Sequence, residues 1–169
     1  MKFFEVEQKY RLKDPARIRK ILKKAGAKRI TSGLETNEFY DKGDFFKKQK
    51  VALRLRRFGK QSAALTLKGP RIQAGFTKRM EMETPIEYAT ARAILRFFGC
   101  RRVRRYSKKR EIYKLGGVLV TVDFLKKFGW FLEIEGRSQS IRKIEKKLGL
   151  GASDREGKSY LQMLFHWKD

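Results

Sequence analysis

The sequence FFEVEQKYRL, residues 3–12, carries an alternating pattern that indicates how this part of the chain folds. Glu5, Glu7 and Lys9 occupy every second position. Successive side chains of a β-strand point to opposite faces of its sheet, so these three charges would share one face. Two adjacent carboxylates are unexpected here, because the chain has 43 Lys and Arg residues against 18 Asp and Glu. The pairing raises the question of what the acids bind.

The composition predicts one folded domain, residues 1–169, with a formal charge of +25. The apolar content of 41% argues against disorder, and the length suits a single core. The longest uncharged apolar run, LGGVLVTV at 115–122, is too short to cross a bilayer. No signal peptide is visible, and the single cysteine, Cys100, excludes an intrachain disulfide. We therefore expect a soluble, cytoplasmic protein whose charge attracts anions.

A strand bearing Glu-x-Glu, followed by a helix and a glycine, is predicted three times, beginning at Glu5, Glu81 and Glu133. In the first and third copies, apolar residues recur at helical spacing in ARIRKILKKAG and SIRKIEKKLG. In the second copy, TPIE at 84–87 predicts an N-cap, a proline at the first helical position and a capping-box glutamate. The helix exits GAKRI and GCRRV also match, which suggests an internal repeat.

The remaining segments predict further strands, for about eight in all. These strands are VALRLRRF, SAALTLKG, FTKRMEMET, residues 103–114 and VLVTVDF. Turns are predicted at Gly43, Gly59-Lys60, Gly69-Pro70, Gly116-Gly117 and Gly129, and a last helix in SYLQMLFHW. Mostly antiparallel strands with three or four helices predict an α+β fold whose sheet curls or closes.

The predicted strand faces concentrate charges of both signs. The acids are Glu5, Glu7, Glu81, Glu83, Asp123, Glu133 and Glu135. The bases are Lys9, Arg54, Arg56, Lys68, Arg79, Lys108 and Arg110. A solvated sheet face is the simpler interpretation, but in so basic a chain such a face should carry mostly Lys and Arg. If the sheet closes, these side chains line a tunnel, where they must pair or bind something.

The mixed charges suit a polyphosphate. Carboxylate oxygens are the ligands of Mg²⁺ and Mn²⁺, while Arg and Lys bind phosphate oxygens. A metal and several cations together neutralise a triphosphate. No Walker-type glycine-rich loop is found, since GLG at 149–151 lacks the following Lys-Ser/Thr.

Several motifs in a fixed order point to a known family. They are EVEQK, NEFYD, LRLR, LTLKGP, the pair Glu81 and Glu83, KKREIY, VTVDFLKKFGWFLEIEG and SYLQMLF. With this order over nearly its whole length, the chain resembles the CYTH proteins, or triphosphate tunnel metalloenzymes, most closely the class IV adenylyl cyclase-like (CyaB-type) branch. The resemblance implies an eight-stranded antiparallel β-barrel, or tunnel, with helices packed outside.

The resemblance also implies roles for individual residues. The expected ligands of Mg²⁺ or Mn²⁺ are Glu5, Glu7, Asp123, Glu133 and Glu135. The expected triphosphate-binding residues are Lys9, Arg54, Arg56, Lys68, Lys108 and Arg110. The expected catalytic residues are Lys9, Asp123 and Arg110. Glu81 and Glu83 match a mid-chain pair of the family, and Arg79 has no clear counterpart there.

Three functions follow from these features. The favoured one is an adenylyl cyclase that converts ATP to cyclic AMP and pyrophosphate, because the overall match leans to that branch. The alternative is a triphosphatase for tripolyphosphate, thiamine triphosphate or a nucleotide, and the third is a non-catalytic nucleic-acid-binding module, which the high positive charge leaves open. A homodimer also stays open, and a membrane is not expected as a partner.

Overall fold

The strands close into one antiparallel barrel in the computed structural model, which describes residues 4–59 and 62–166. They are β1 (Phe4–Leu12), β2 (Lys28–Asp41), β3 (Ala52–Phe58), β4 (Ser62–Ala74), β5 (Phe76–Pro85), β6 (Arg101–Leu115), β7 (Val118–Leu125) and β8 (Gly129–Glu135). Their order around the barrel is β1-β5-β4-β3-β2-β6-β7-β8, and β8 pairs again with β1. The prediction of an eight-stranded antiparallel barrel is confirmed.

In the described residues, five α-helices pack around the barrel. They are α1 (Pro15–Lys24), α2 (Phe45–Lys48), α3 (Tyr88–Phe97), α4 (Ser138–Leu148) and α5 (Tyr160–Phe165). Leu22 of α1 and Ile141 of α4 pack in one buried cluster with Val120 and Ile134, which face outward from the barrel wall. The barrel residues between these apolar positions are left to face the interior. Among the described residues, no helix is long and apolar enough to cross a lipid bilayer.

The three Glu-x-Glu strands are neighbours, because β1 lies between β5 and β8. Glu7 stands directly opposite Glu135, and Lys9 stands directly opposite Glu133. Like charges opposite each other destabilise a sheet. The barrel therefore gathers its acids on one wall at a cost in stability.

The predicted start of the second helix is wrong. β5 continues to Pro85, where it pairs with Ala64 of β4, so that α3 begins only at Tyr88. The N-cap is Glu87, whose carboxylate accepts hydrogen bonds from the backbone N–H groups of Ala89 and Thr90 at 2.8 and 2.6 Å. Pairing with β4 thus outweighs the local capping signal of TPIE.

The predicted turn at Gly69-Pro70 is also wrong. Both residues lie inside β4, where the ladder with β5 skips from Lys68 to Arg71. Proline has no N–H to donate, so the strand accommodates it in an irregularity of the ladder. The chain reverses at Gly75 instead, which has a φ of 79°.

Other local predictions fare better. Gly116 and Gly117 form the β6–β7 turn with positive φ, as predicted. Lys60 of the predicted Gly59-Lys60 turn lies outside the described residues, as does Trp167 of the predicted last helix. The part of that helix that the structure describes is α5.

Candidate active site in the barrel

The interior of the barrel holds a cavity of about 550 Å³. Its wall is built from inward-facing side chains at alternate strand positions. Every predicted site residue except Asp123 lies on this wall. These residues are Glu5, Glu7, Lys9, Arg54, Arg56, Lys68, Arg79, Glu81, Glu83, Lys108, Arg110, Glu133 and Glu135.

Glu7 stands at the centre of the acidic wall. Within the described residues it has no ion-pair partner. Burial raises its pKa, and the nearby carboxylates of Glu5 and Glu133 raise the pKa further. Burial also raises the pKa of Glu5, although Lys68 Nζ lies 3.3 Å from its Oε2. The acids here are crowded beyond what the neighbouring cations offset.

Glu133 joins the acidic wall to the bases. Its carboxylate contacts Arg110, and its Oε1 lies 3.3 Å from Lys9 Nζ. Burial opposes ionisation, but Lys108, Lys9 and Arg110 together hold the pKa of Glu133 well below its usual range. Glu133 is therefore charged at neutral pH.

Lys9 is almost fully buried, and burial lowers its pKa. Its ammonium nitrogen lies 3.7 Å from the centre of the Tyr160 ring and donates to the Lys158 carbonyl at 3.3 Å. Tyr160 of α5 and the loop before this helix thus provide contacts that orient Lys9. A buried lysine with a lowered pKa is more readily deprotonated than a solvated one.

Asp123 is fully buried on the inward face of β7, opposite Arg110 of β6, and is covered by neighbouring side chains so that it does not line the cavity. Its oxygens accept hydrogen bonds from Arg110 Nε at 2.7 Å, Arg110 Nη2 at 2.6 Å, Lys108 Nζ at 2.9 Å and the Tyr160 hydroxyl at 2.8 Å. Three of these donors bind Oδ2, and one binds Oδ1. The metal-ligand role that the sequence analysis expects for Asp123 stays a prediction, and the contacts of Asp123 in the structure support the two cations.

The mid-chain acids pair with bases of β3 and β4. Arg54 Nη2 lies 3.3 Å from Glu81 and 3.4 Å from Glu83, and Arg56 and Lys68 make shorter contacts to the same two acids. A triphosphate that enters the cavity would compete with these carboxylates for the same cations.

Arg79 also lines the cavity, but its guanidinium donates to the Gly69 carbonyl from Nε at 3.1 Å and Nη2 at 2.8 Å. This carbonyl lies in the ladder irregularity of β4. Arg79 therefore stabilises the irregular backbone of β4 at the cavity wall.

Sequence reasoning missed Glu35 of β2. Glu35 is 1% exposed, and its oxygens lie 3.4 Å from both Lys108 Nζ and Arg110 Nη1. Asn37 donates to it at 2.9 Å, and the cations hold its pKa far below the usual range. Residues two apart in a strand share a face, so counting two residues back from Asn37 of the NEFYD motif would have identified Glu35.

The fit of a divalent metal rests on the donor chemistry of the acidic wall. In residues 4–59 and 62–166, no three acidic, His or Cys side chains form a ready-made ligand cluster. Glu5, Glu7 and Glu135 nevertheless bring hard oxygen donors to one part of the wall, and Glu5 and Glu7 have raised pKa values. A divalent cation offsets such mutual repulsion, so these residues fit Mg²⁺ or Mn²⁺.

A closed antiparallel barrel with acids and bases facing each other across an internal cavity is the architecture of a charged tunnel. The CYTH domain family matches residues 4–160, and the chain belongs to this family. The triphosphate tunnel metalloenzymes of the CYTH family are metal-dependent. The resemblance noted from the sequence motifs is confirmed.

Named relatives agree with this assignment. A Methanocaldococcus jannaschii protein named "putative adenylate cyclase" is 32% identical over 146 residues, which cover 85% of this chain and 83% of the relative. A solved Vibrio parahaemolyticus structure with the same description has 25% identity and a TM-score of 0.85, over 97% of this chain and 99% of its own. A Hippeastrum protein described as a "putative adenylyl cyclase" with a dominant triphosphatase activity shares the fold, with 17% identity and a TM-score of 0.73 over 98% and 97% of the two chains.

Proposed function

We propose that this protein is a metal-dependent enzyme that converts ATP to cyclic AMP and pyrophosphate inside the barrel. The observation that carries the proposal is one cavity of about 550 Å³ lined by carboxylates from β1 and β8 and by bases from β3, β4 and β6. A volume in this range accommodates a nucleotide-sized ligand. The 32% identical relative named for adenylate cyclase supports the choice of reaction.

The triphosphate would bind to the basic side of the cavity. Arg54, Arg56 and Lys68 would exchange Glu81 and Glu83 for phosphate oxygens. The exchange is favourable because a triphosphate carries more charge than the two acids and accepts bidentate hydrogen bonds from Arg. Glu81 and Glu83 keep these cations oriented before substrate arrives.

Arg110 and Lys108 would hold the leaving pyrophosphate. Asp123 accepts hydrogen bonds from Arg110 and Lys108, so it positions these two cations and offsets part of their charge. Preoriented cations stabilise charge that develops on a leaving group without reorganisation during the reaction. In this proposal Asp123 is a positioning residue.

Glu5, Glu7 and Glu135 would hold Mg²⁺ or Mn²⁺. When bound, such an ion neutralises phosphate oxygens and lowers the pKa of a coordinated hydroxyl. Glu133 takes part less directly, because it already contacts Lys9 and Arg110.

In the proposed reaction the ribose 3′-oxygen forms a bond to the α-phosphorus. The bond between the α-phosphorus and the bridging oxygen breaks, and pyrophosphate leaves with the electron pair. Lys9, in its neutral form, takes the proton of the 3′-hydroxyl. Because the pKa of Lys9 is lowered, a larger fraction of its amine is neutral at a given pH than for a lysine in water.

A triphosphatase is the second candidate, and the Hippeastrum neighbour with the same fold is the observation that favours it. Water would replace the 3′-hydroxyl and attack a terminal phosphorus. The same acids and bases would serve, so only the nucleophile and the fit of the organic group differ between the two reactions.

Product analysis tests the proposal. Purified protein is incubated with ATP, and separately with tripolyphosphate, in Mg²⁺ and in Mn²⁺, with Glu5→Ala as the control. Cyclic AMP and pyrophosphate from ATP would support the cyclase, and orthophosphate without cyclic AMP would replace it with the triphosphatase. No turnover of either substrate would contradict both. Salt-sensitive polyanion binding that survives Glu5→Ala would then favour the nucleic-acid-binding module.

A further inference from the structure

One end of the barrel exposes large apolar side chains that the fold leaves in solvent. Phe97 is 87% exposed, Phe98 61%, Phe45 54% and Ile94 42%. Phe45 belongs to α2, and the other three lie at the C-terminal end of α3. We call these four side chains the aromatic tip.

The two parts of the tip flank the same buried cluster. Phe46 of α2 and Leu95 of α3 pack in the same buried cluster, so the core positions at this end are filled. The Lys42 side chain lies 3.6 Å from the position that a Cβ would take on Gly99. The neighbouring residues Phe45, Phe97 and Phe98 therefore project outward.

α2 is anchored firmly despite its single turn. The buried carboxylate of Asp41 accepts hydrogen bonds from the backbone N–H groups of Lys42, Phe46 and Lys47 at 2.7, 3.0 and 3.1 Å. Asp41 also pairs with Arg101 of β6 in the strand register. The position of Phe45 is thus a product of the fold.

α3 has a second apolar face in addition to the one that it buries. Ala91 and Leu95 pack on the barrel, whereas Ile94, Phe97 and Phe98 share another face at spacings of three and four residues. Contiguous exposed apolar side chains on a soluble domain mark an interaction site.

Cations surround the tip. The exposed basic residues in the described stretches 41–50 and 94–101 are Lys42, Lys47, Lys48, Lys50, Arg96 and Arg101. Asp44 is the one exposed acid of those two stretches, and it lies 3.7 Å from Lys47 Nζ. The partner of this surface must therefore combine apolar and anionic character.

We propose that the aromatic tip docks on an anionic lipid bilayer. Phenyl rings that project from a protein partition into the boundary between headgroups and acyl chains, and nearby Lys and Arg bind the anionic headgroups. This contact is peripheral, independent of the chemistry in the cavity, and different from the sequence-based expectation of no membrane partner.

Two other occupants fit less well. A second copy of the chain would bring an equal set of cations to the tip, and the two sets would repel each other. Single-stranded nucleic acid stacks its bases on ring faces. Phe97 and Phe98 meet at 84°, and Phe45 meets Phe46 at 81°, so neither pair offers a parallel stacking platform.

Vesicle co-sedimentation tests the apolar part of the proposal. Wild type is expected to bind vesicles of phosphatidylcholine with phosphatidylserine, and to bind pure phosphatidylcholine weakly. Phe97→Ser/Phe98→Ser should weaken the binding roughly tenfold or more, because it removes two inserting rings. The matched control is Ile30→Ser/Leu34→Ser, which removes two apolar side chains of 57% and 55% exposure from a distant part of β2 and should bind like wild type. Equal binding by both variants would overturn the proposal.

A second pair of variants separates a local site from the overall charge of +25. Lys48→Gln/Arg96→Gln removes two charges near the tip and should weaken vesicle binding roughly tenfold. Lys20→Gln/Lys143→Gln removes two exposed charges from α1 and α4 and should have little effect. Equal losses would mean diffuse attraction and would overturn the proposal.

Insertion depth distinguishes insertion of the rings from electrostatic attraction to the membrane surface, because attraction alone would not bring a side chain at position 97 into the acyl-chain region. Phe97→Trp should show fluorescence quenched by brominated lipids, whereas Ile30→Trp should stay at the background of the native tryptophans. Both variants and the serine variants should keep wild-type turnover of the cavity substrate. Absence of quenching, or a tip that instead governs dimerisation or oligonucleotide binding, would overturn the membrane assignment.

Discussion

At the scale of single residues, Glu7 shows that the barrel places acids together at a cost in stability. It faces Glu135 across the strand pair and stands close to Glu5 and Glu133. Because its pKa is raised, the fold prefers the protonated acid. The contribution of Glu7 to stability is thus greatest below the usual glutamate pKa, and it is lost as the pH rises through the raised value.

Glu7→Gln should therefore stabilise the metal-free protein at neutral pH by about 1 kcal/mol, the size of gain common when a functional residue under strain is replaced. The same change should abolish turnover and reduce the rise in the unfolding midpoint that Mg²⁺ or Mn²⁺ gives to wild type. Thermal unfolding with and without EDTA measures both effects.

The control for this prediction is Glu111→Gln on the outer surface. Glu111 binds Arg19 at 2.7 Å and has a lowered pKa, so its loss should destabilise slightly and leave the metal response intact. A metal-free Glu7→Gln protein less stable than wild type would contradict the account of the acidic wall.

Asp123 gives the opposite case, since its charge is buried and fully partnered. Asp123→Asn should lower the free energy of unfolding by about 3 kcal/mol, because the buried Arg110 and Lys108 would lose their most closely bound carboxylate partner and keep only the longer contacts to Glu35 and the contact of Arg110 to Glu133. Tyr160→Phe, which removes one donor to Asp123, should cost only about 1 kcal/mol. Urea unfolding followed by circular dichroism compares the two variants, and equal small losses would refute the supporting role of Asp123.

At the scale of elements, the start of α3 shows a local signal overruled by strand pairing. Thr84 pairs with Leu65 in the β4–β5 ladder, so it is not free to cap a helix. Glu87, three residues later, caps the helix instead, and its carboxylate accepts hydrogen bonds from the backbone N–H groups of Ala89 and Thr90. The point at which the preceding strand ends therefore determines which residue caps the helix.

Glu87→Ala should lower the midpoint of thermal unfolding by a few degrees at neutral pH, while Thr84→Ala should change it little. The backbone N–H groups lower the pKa of Glu87, so its contribution is present above the usual glutamate pKa. It is lost as the pH falls through the lowered value, and the two variants should converge in acid. A larger effect of Thr84→Ala would restore the cap predicted from TPIE.

At the scale of the whole molecule, closure of the barrel creates the charged cavity of the candidate site. The strands that bear Glu-x-Glu are distant in sequence and adjacent in space, because β1 fills the gap between β5 and β8. The bases of β3, β4 and β6 then face them across the cavity. Binding of a triphosphate should consequently stabilise the entire barrel.

Tripolyphosphate with Mg²⁺ or Mn²⁺ should raise the unfolding midpoint of wild type, with a gain near 2.7 kcal/mol at roughly one hundred times the dissociation constant. Lys68→Ala should reduce this gain, because Lys68 lies on the cavity wall. The matched change Lys20→Ala, on the outside of α1, should preserve it. Calorimetry measures these midpoints, and EDTA added last should reverse the metal-dependent part of the rise. Equal gains in both variants would argue against a site in the barrel.

The sequence by itself determined the strand alternation, the set of inward-facing charges and, through ordered motifs, the CYTH family and its eight-stranded barrel. Alternation is a local property of a strand, so it can be taken from spacing alone. The tertiary structure decided which charges meet: it buried Asp123 beneath Arg110 and Lys108, added Glu35, and left Glu7 without a salt bridge among the described residues. These outcomes depend on register and barrel closure between segments far apart in the chain, and such long-range geometry is absent from any local pattern.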